Sequence, residues 1–176
     1  GHKVAICDQL ETAQTGKLVK RGITRIITPG TVLEDRQLDA AANHFLTAVT
    51  IEKKQLVASW LDLSTGQFKI GVFPNPYDFL STISGISPRE ILLPESWDRK
   101  LASLGEMGRF SEDLAQLWGD ITRTERPDFD FDQRSGAREV MESLGVMNLQ
   151  GFGIQMDNPA LGPAGAVLVY AEDVLK

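Results

Sequence analysis

The sequence predicts an α/β fold, in which a mixed sheet begins with a three-stranded antiparallel meander and carries helices on its faces. Apolar and polar residues alternate over 67–73, which is the period of a half-buried strand, and strand-like runs precede it at 45–51 and 56–63. A helix-capping pattern follows directly, and a short apolar run lies between Pro88 and Pro94. This order of three strands, a helix, a strand and further helices is typical of a sheet covered by helices.

The composition indicates a soluble chain of one domain, or of one domain with a tail. It has 176 residues, of which 42% are hydrophobic and 24% are charged. No apolar run approaches the roughly 18 residues that a membrane-spanning helix needs, so we expect no membrane contact. The single cysteine, Cys7, cannot form a disulfide within the chain, and it suits the reducing conditions of the cytoplasm.

Two short strands are predicted before the meander. Residues 4–7 form a short apolar run, and 23–27 contains β-branched isoleucines of the kind that pleated sheets prefer. Pro29-Gly30 then breaks the pattern, and a short helix is expected near 35–42.

Helices are expected at five places after the meander. Asn75 is a good N-cap before Pro76, and Gly85 is expected to end that helix. In the last helix, Gly165 indicates that another backbone comes close. The other expected helices run from Ser96 to Gly105, around Leu114–Trp118, from Asp132 to Gly145, and from between Asn158 and Pro163 to residue 176.

Three further expectations concern the second half of the chain. Phe129 and Phe131 alternate with aspartates, which predicts an extended segment. Val140 and Leu144 are expected on the buried face of the helix that begins after Asp132. Residues 151–153, Gly-Phe-Gly, are expected to form a tight turn before a last strand.

Several segments, taken in order, resemble the connector region of the MutS family of DNA mismatch-recognition proteins. The resemblance covers nearly the whole chain. It is carried by residues 1–9, Thr28-Pro29-Gly30-Thr31, Trp60-Leu61-Asp62-Leu63-Ser64-Thr65-Gly66, Pro88-Arg89-Glu90-Ile91-Leu92-Leu93-Pro94-Glu95, Gly151-Phe152-Gly153 and Ala164-Gly165-Ala166-Val167-Leu168-Val169-Tyr170.

The resemblance implies a domain plan and a ribonuclease-H-like fold for the connector. Residues 1–30 would be the end of a mismatch-binding domain, 31–43 a linker, 44–157 the connector domain, and 158–176 a helix leading into the core domain. In the family, the mismatch-binding domain inserts the Phe of a Phe-x-Glu motif into DNA, and we expect that Phe to lie outside this chain. The connector itself would be no enzyme and would hold no cofactor, since ATP and magnesium belong to the parent's ATPase domain.

The resemblance also implies partners. They are the rest of a MutS chain, the protein MutL, and mismatched duplex DNA bound through a parent protein that forms homodimers. The net charge of −6 makes the chain itself a poor candidate for binding DNA. A local basic cluster is the exception, and it is either a solvated loop or an edge that contacts the DNA backbone: Lys17, Lys20, Arg21 and Arg25.

A metal-dependent nuclease of the same fold is the alternative function. Asp62 would bind the metal from a strand, with Glu95 and either Asp157 or Asp173 completing the set. Against this, an Asp before Ser-Thr-Gly is also good turn chemistry. The two histidines have no partners at ligand spacing, so we expect no metal or catalytic site.

The helix predicted between Asp132 and Gly145 offers a partner-binding surface. Its apolar side is accounted for by core packing, and its outer side carries both signs of charge. The resemblance places this helix near a docking surface for MutL, although a merely solvated face is the other interpretation. The outward residues are Arg134, Arg138, Glu139 and Glu142.

Overall fold

A computed structural model describes residues 4–9, 21–30, 45–105 and 109–175, with only the backbone described for 4–9 and 21–27. Seven strands and five α-helices lie within these ranges. The strands are β1 Val4–Gln9, β2 Arg21–Ile27, β3 Phe45–Glu52, β4 Gln55–Asp62, β5 Gln67–Phe73, β6 Glu90–Pro94 and β7 Thr122–Arg126. The helices are α1 Pro76–Ile86, α2 Trp97–Ala102, α3 Arg109–Trp118, α4 Gln133–Leu144 and α5 Leu161–Leu175.

The predicted fold class is confirmed. β3, β4 and β5 form the antiparallel meander, and β6 and β7 continue the sheet as parallel strands in the order β5-β4-β3-β6-β7. This arrangement is compatible with the ribonuclease-H-like fold that the resemblance implies. Strand β3 is buried along nearly its whole length because it lies at the centre of the sheet.

Helices cover both faces of the sheet. One face packs against α1, α2 and α3 around aromatic side chains, among which Phe79 meets Trp118 edge to face at 6.2 Å between ring centroids. The other face packs against α5, whose Val167 and Tyr170 lie over β3, β4 and β6. The helix predicted to lead into the next domain is therefore part of the packing of this sheet.

The fifth strand of the sheet corrects the sequence analysis. β7 is Thr122–Arg126, whereas the alternation at Phe129 and Phe131 suggested an extended segment there. That stretch is instead a 3-10 turn, Asp128–Phe131, entered through Pro127. Only one of the two rings is buried, so the alternation is not that of a strand. An edge strand rich in charged residues gives a weak apolar pattern, which explains why β7 was missed.

Three smaller expectations were also wrong. α1 runs to Ile86 and is capped by Ser87, which takes the left-handed conformation with φ 51°, so Gly85 lies inside the helix. Leu144 is 43% exposed at the end of α4 instead of buried. Residues 151–153 form the expected tight turn, since Gly151 and Phe152 belong to the 3-10 turn Gln150–Phe152 and Gly153 ends it, but α5 follows instead of a strand.

The expected close approach at Gly165 is confirmed. A Cβ added there would lie 2.4 Å from the Cα of Gly136, so α4 and α5 cross with their backbones in contact. A Cβ on Gly136 would lie 1.9 Å from the carbonyl oxygen of Leu161. The two glycines are therefore what allow α4 to lie against α5.

The first two strands pair with each other. β1 and β2 form an antiparallel two-stranded sheet, and β2 also contacts α5. Residues 28–30 follow β2 and pack on the main sheet, with Thr28 and Gly30 buried. The linker predicted at 31–43, with its short helix, lies outside the described residues.

Candidate functional site

The outer face of α4 carries the four residues predicted as a partner surface. Asp132 caps the helix by accepting from the backbone N–H of Ser135 at 2.8 Å, and this hydrogen bond keeps the pKa of Asp132 below its ordinary value. The helix therefore begins where the sequence predicts. Its buried apolar residues face the core, and its charged residues face outward. Arg134, Arg138 and Glu142 are exposed and Glu139 is half-buried.

These four side chains are not committed to ion pairs within the described residues. Arg138 donates to the hydroxyl of Ser135, at 3.3 Å on the same helix. A face with both signs of charge and no internal ion pairs is available to a partner of complementary charge.

Exposed apolar side chains lie at the end of α4 and beyond it, and the sequence analysis did not identify them as a surface. They follow the end of α4 and the segment leading to α5. Their exposed fractions are 43% for Leu144, 94% for Met147, 56% for Phe152 and 44% for Met156. The local signal was present, since an apolar residue in a Gly-rich loop has little to pack against, but periodicity alone assigned Leu144 to the core.

A cavity of about 780 Å³ lies beside α4. Gly136 and Gly165 line it where the two helices cross, and Glu139 lines it from α4. Phe129 also lines it and is 73% exposed. The partner surface of α4 thus has one acidic edge that borders an open cleft.

Asp62 is held in a turn rather than in a metal site. Its Oδ1 accepts from the backbone N–H of Ser64 at 2.9 Å and from the Ser64 hydroxyl at 2.6 Å. Burial by itself would raise the pKa of Asp62, but hydrogen bonds from Ser64 and Thr65 outweigh it and lower the pKa. The turn closes with the N–H of Gly66 donating to the Asp62 carbonyl at 2.8 Å.

The other acids of the nuclease alternative do not join Asp62. Asp62 pairs with Phe45 at the start of β3, and the next residue of β3, Leu46, pairs with Glu90 at the start of β6. Asp62 is therefore near the start of β6, whereas Glu95 lies past the end of β6. Asp173 forms an ion pair with Arg126, with 3.1 Å between Asp173 Oδ2 and Arg126 Nη2. In the part of the chain that the structure describes, no three His, Cys, Asp or Glu side chains come together as a metal site would require.

Residues 28–30 meet the sheet at a buried carboxyl group, that of Glu90, which sequence reasoning missed. Its Oε1 accepts from the Tyr170 hydroxyl at 2.7 Å and from the Thr124 hydroxyl at 2.6 Å. Its Oε2 accepts from the backbone N–H of Gly30 at 3.2 Å. One side chain therefore connects β6 with β7, α5 and the segment that follows β2, and we call this group of residues the Glu90 junction.

Tyr170 is the second centre of the Glu90 junction. Burial, the negative charge of Glu90 and the hydrogen bond to it raise the pKa of the phenol well above its ordinary value, although bonds from Thr28 and Thr124 act in the opposite direction. Arg126 lies over the ring, 5.4 Å from its centroid. The sequence does not reveal this junction, because a Glu at the start of a strand is usually exposed and nothing nearby in the sequence marks Glu90 as buried.

Arg126 holds the solvent side of the junction. Its Nε donates to Asp130 at 2.7 Å, and its Nη2 donates to Asp173 on α5 at 3.1 Å. Burial alone would lower the pKa of Arg126, but these two aspartates outweigh it and raise the pKa. The guanidinium therefore joins β7, the 3-10 turn and α5 in one network.

The predicted DNA-backbone cluster is only partly described. Lys17 and Lys20 lie outside the described residues. Arg21 and Arg25 lie on β2, where they pair with Gln9 and Ile6 of β1. Their role toward DNA stays a prediction.

Comparison with known proteins gives the family. Residues 44–176 match the family model for MutS domain II, and residues 1–36 match the model for MutS domain I. The chain belongs to the MutS family. The domain II match includes α5, in agreement with its place in the packing of the sheet.

Relatives in the MutS family align with nearly the whole chain. Proteins named "DNA mismatch repair protein MutS" are 30% identical in Treponema denticola, over 99% of this chain, and 34% identical in both Symbiobacterium thermophilum and Myxococcus xanthus, over 100% of it. The chain covers 20%, 20% and 19% of those three proteins, so it spans about a fifth of their length.

A Phe-x-Glu match occurs in this MutS chain, at Phe110-Ser111-Glu112. It lies in α3, where Phe110 is 1% exposed and packs in the aromatic core. A ring held there is unavailable to DNA. Within the described ranges, no helix combines the length and apolar character that crossing a bilayer requires.

Proposed function

We propose that this chain is the connector module of a MutS-like DNA mismatch repair protein. It couples mismatch binding in the preceding domain to the lever and ATPase parts of the parent, and it offers a docking surface for MutL. The match of residues 44–176 to MutS domain II is the observation that carries the proposal. Mismatched duplex DNA reaches the chain through the parent protein, which forms homodimers in the cytoplasm.

The Glu90 junction supports the coupling role. Coupling between distant sites requires a packed element whose position both sites can bias. Residues 28–30, which lie within the match to MutS domain I, and α5 meet at the same carboxyl group. A displacement of residues 28–30 therefore changes the contacts of α5, and this coupling needs no catalytic residue.

The outer face of α4 supports the docking role. We expect Arg138→Glu or Glu139→Arg to weaken MutL binding by the full-length parent, because reversing a charge at an interface changes both the encounter rate and the complementarity. Folding should change by no more than about 0.5 kcal/mol, since Val140 and the capping residue Asp132 are untouched. The measurement is the affinity of the cognate MutL for each variant at fixed salt.

A matched control uses a charge of the same kind on another helix. Arg109→Glu at the exposed start of α3 reverses a charge away from α4, and it should leave MutL affinity unchanged. If both α4 variants kept wild-type affinity and thermal stability, α4 would be removed from the interface, and the connector would be a mechanical link only.

The connector has no catalysis of its own in this proposal, and ATP and Mg²⁺ act in the parent's ATPase domain. We expect the chain to cleave neither DNA nor RNA with Mg²⁺ or Mn²⁺, because Asp62 serves its turn and Glu95 lies at the far end of β6. A nuclease assay with Mn²⁺, together with titration calorimetry, makes the test. Metal-dependent cleavage that disappears in Asp62→Asn would favour the nuclease instead.

A further inference from the structure

We propose that the Glu90 junction is a latch, in which Glu90 and Tyr170 fix the position of residues 28–30 on the connector and thereby set how strongly the preceding domain is coupled to α5. The inference rests on the coupling role proposed above and names the contact through which that coupling passes.

The segment is held on both sides of its proline. Thr28 is 1% exposed, and its side chain hydrogen-bonds the Tyr170 phenol. Gly30 donates its N–H to Glu90 Oε2. Pro29 between them has a fixed φ, so the two anchors do not move independently.

Gly30 fits this position because it has no side chain. A Cβ there would lie 3.0 Å from the Glu90 Cβ and 3.0 Å from the Leu46 Cδ1, so the backbone sits directly on the sheet. Such a close approach leaves no room for the segment to slide while its bonds are kept. The latch is therefore either engaged or released.

The α5 end of the latch is equally constrained. Arg126 covers the Tyr170 ring and also binds Asp173, which lies about one turn farther along α5. Arg126 of β7 contacts both Tyr170 and Asp173. A displacement of Thr28 should therefore move this end of α5, because Tyr170 cannot simply rotate away.

The hydrogen bonds of the junction differ in what they anchor. Tyr170 and Thr124 donate to the same oxygen, Glu90 Oε1, at 2.7 and 2.6 Å. Thr28 belongs to the segment itself, whereas Thr124 belongs to β7. Tyr170→Phe and Thr124→Val thus remove the same kind of bond from the same oxygen, but only Tyr170→Phe also removes the bond to Thr28.

The test uses the full-length MutS protein that carries this sequence. We expect Tyr170→Phe and Thr28→Val to speed hydrogen exchange in a peptide covering residues 28–30 by about fivefold, the factor that one hydrogen bond contributes. The ratio of ATP hydrolysis rates on mismatched and matched DNA should fall by a similar factor, while mismatch affinity is retained. Thr124→Val should change both quantities clearly less than Tyr170→Phe does, because Thr124 holds Glu90 from β7 and is not part of the segment, although the loss of global stability should be similar in the two variants.

Three results would decide against parts of this account. Unchanged exchange at residues 28–30 in Tyr170→Phe and Thr28→Val would overturn the latch. Faster exchange with an unchanged ATP response would show that the segment is released without consequence, and the coupling role would fail at this joint. Equal effects of Thr124→Val would mean that the junction acts only through overall stability. MutL affinity, tested on α4, is independent of all three.

Discussion

Gly165→Ala should destabilise the domain by about 3 kcal/mol, at the upper end of the usual cost of overpacking a core. The added Cβ would lie 2.4 Å from the Cα of Gly136 and 3.3 Å from its backbone nitrogen. Backbone atoms cannot move aside as the end of a flexible side chain can, so α4 and α5 must separate. Gly136→Ala should be at least as damaging, since its Cβ would lie 1.9 Å from the Leu161 carbonyl oxygen. Urea unfolding of each variant measures the loss.

Gly85→Ala is the matched control for this prediction. Gly85 is also inside a helix, α1, but a Cβ there meets nothing within 4 Å. Replacing it should stabilise the domain by up to about 1 kcal/mol, because alanine is the better helix former. If Gly165→Ala were as stable as Gly85→Ala, the backbone contact between α4 and α5 would be wrong.

The helix crossing also bears on the proposed docking surface. α4 packs mainly on α5, and α5 packs on the sheet. A variant that separates the helices therefore moves the charged face of α4 relative to the domain. We expect Gly165→Ala to lose MutL affinity along with stability, whereas Arg138→Glu should lose affinity alone.

The sequence alone predicted the strands and helices in which apolar residues recur with the period of the element. The meander was found because β5 alternates regularly, and α4 was found because Asp132 and Gly145 cap an apolar stripe. The outward position of Arg138 followed from the same 3.6-residue period. These features depend on neighbours in sequence, which a single sequence displays.

The features that were missed depend on contacts between distant residues. Among the described strands, β7 pairs only with β6, so few of its residues need to be apolar. Glu90 is fully buried although its type is usually exposed, and it is satisfied by Gly30 and Tyr170, which lie 60 and 80 residues away. No local signal marks such a group, because its donors come together only after the sheet and α5 are assembled.

The Tyr170 phenol should also make the domain lose stability at alkaline pH. The pKa of Tyr170 is raised in the folded state, so the folded protein keeps its proton at a pH where the unfolded chain, with an ordinary tyrosine pKa of about 10, has lost it. The stabilisation is present below about pH 10 and is lost as the pH rises from there toward the folded-state value. Over that window, this one group lowers the free energy of unfolding by about 1.4 kcal/mol per pH unit.

Comparing Tyr170→Phe with Tyr77→Phe isolates this effect from other groups that titrate in base. The chain has two tyrosines, and Tyr77 is 52% exposed on α1, so Tyr77→Phe leaves Tyr170 as the sole phenol. In that variant, the ultraviolet absorbance of tyrosinate should appear only together with unfolding, and the alkaline fall in stability should remain. Tyr170→Phe should be less stable at neutral pH, where its hydrogen bonds are missing, yet its stability should fall less steeply above about pH 10. Reversible ionisation of Tyr170 in a folded protein would mean that water reaches the phenol, and the Glu90 junction would then be open in solution.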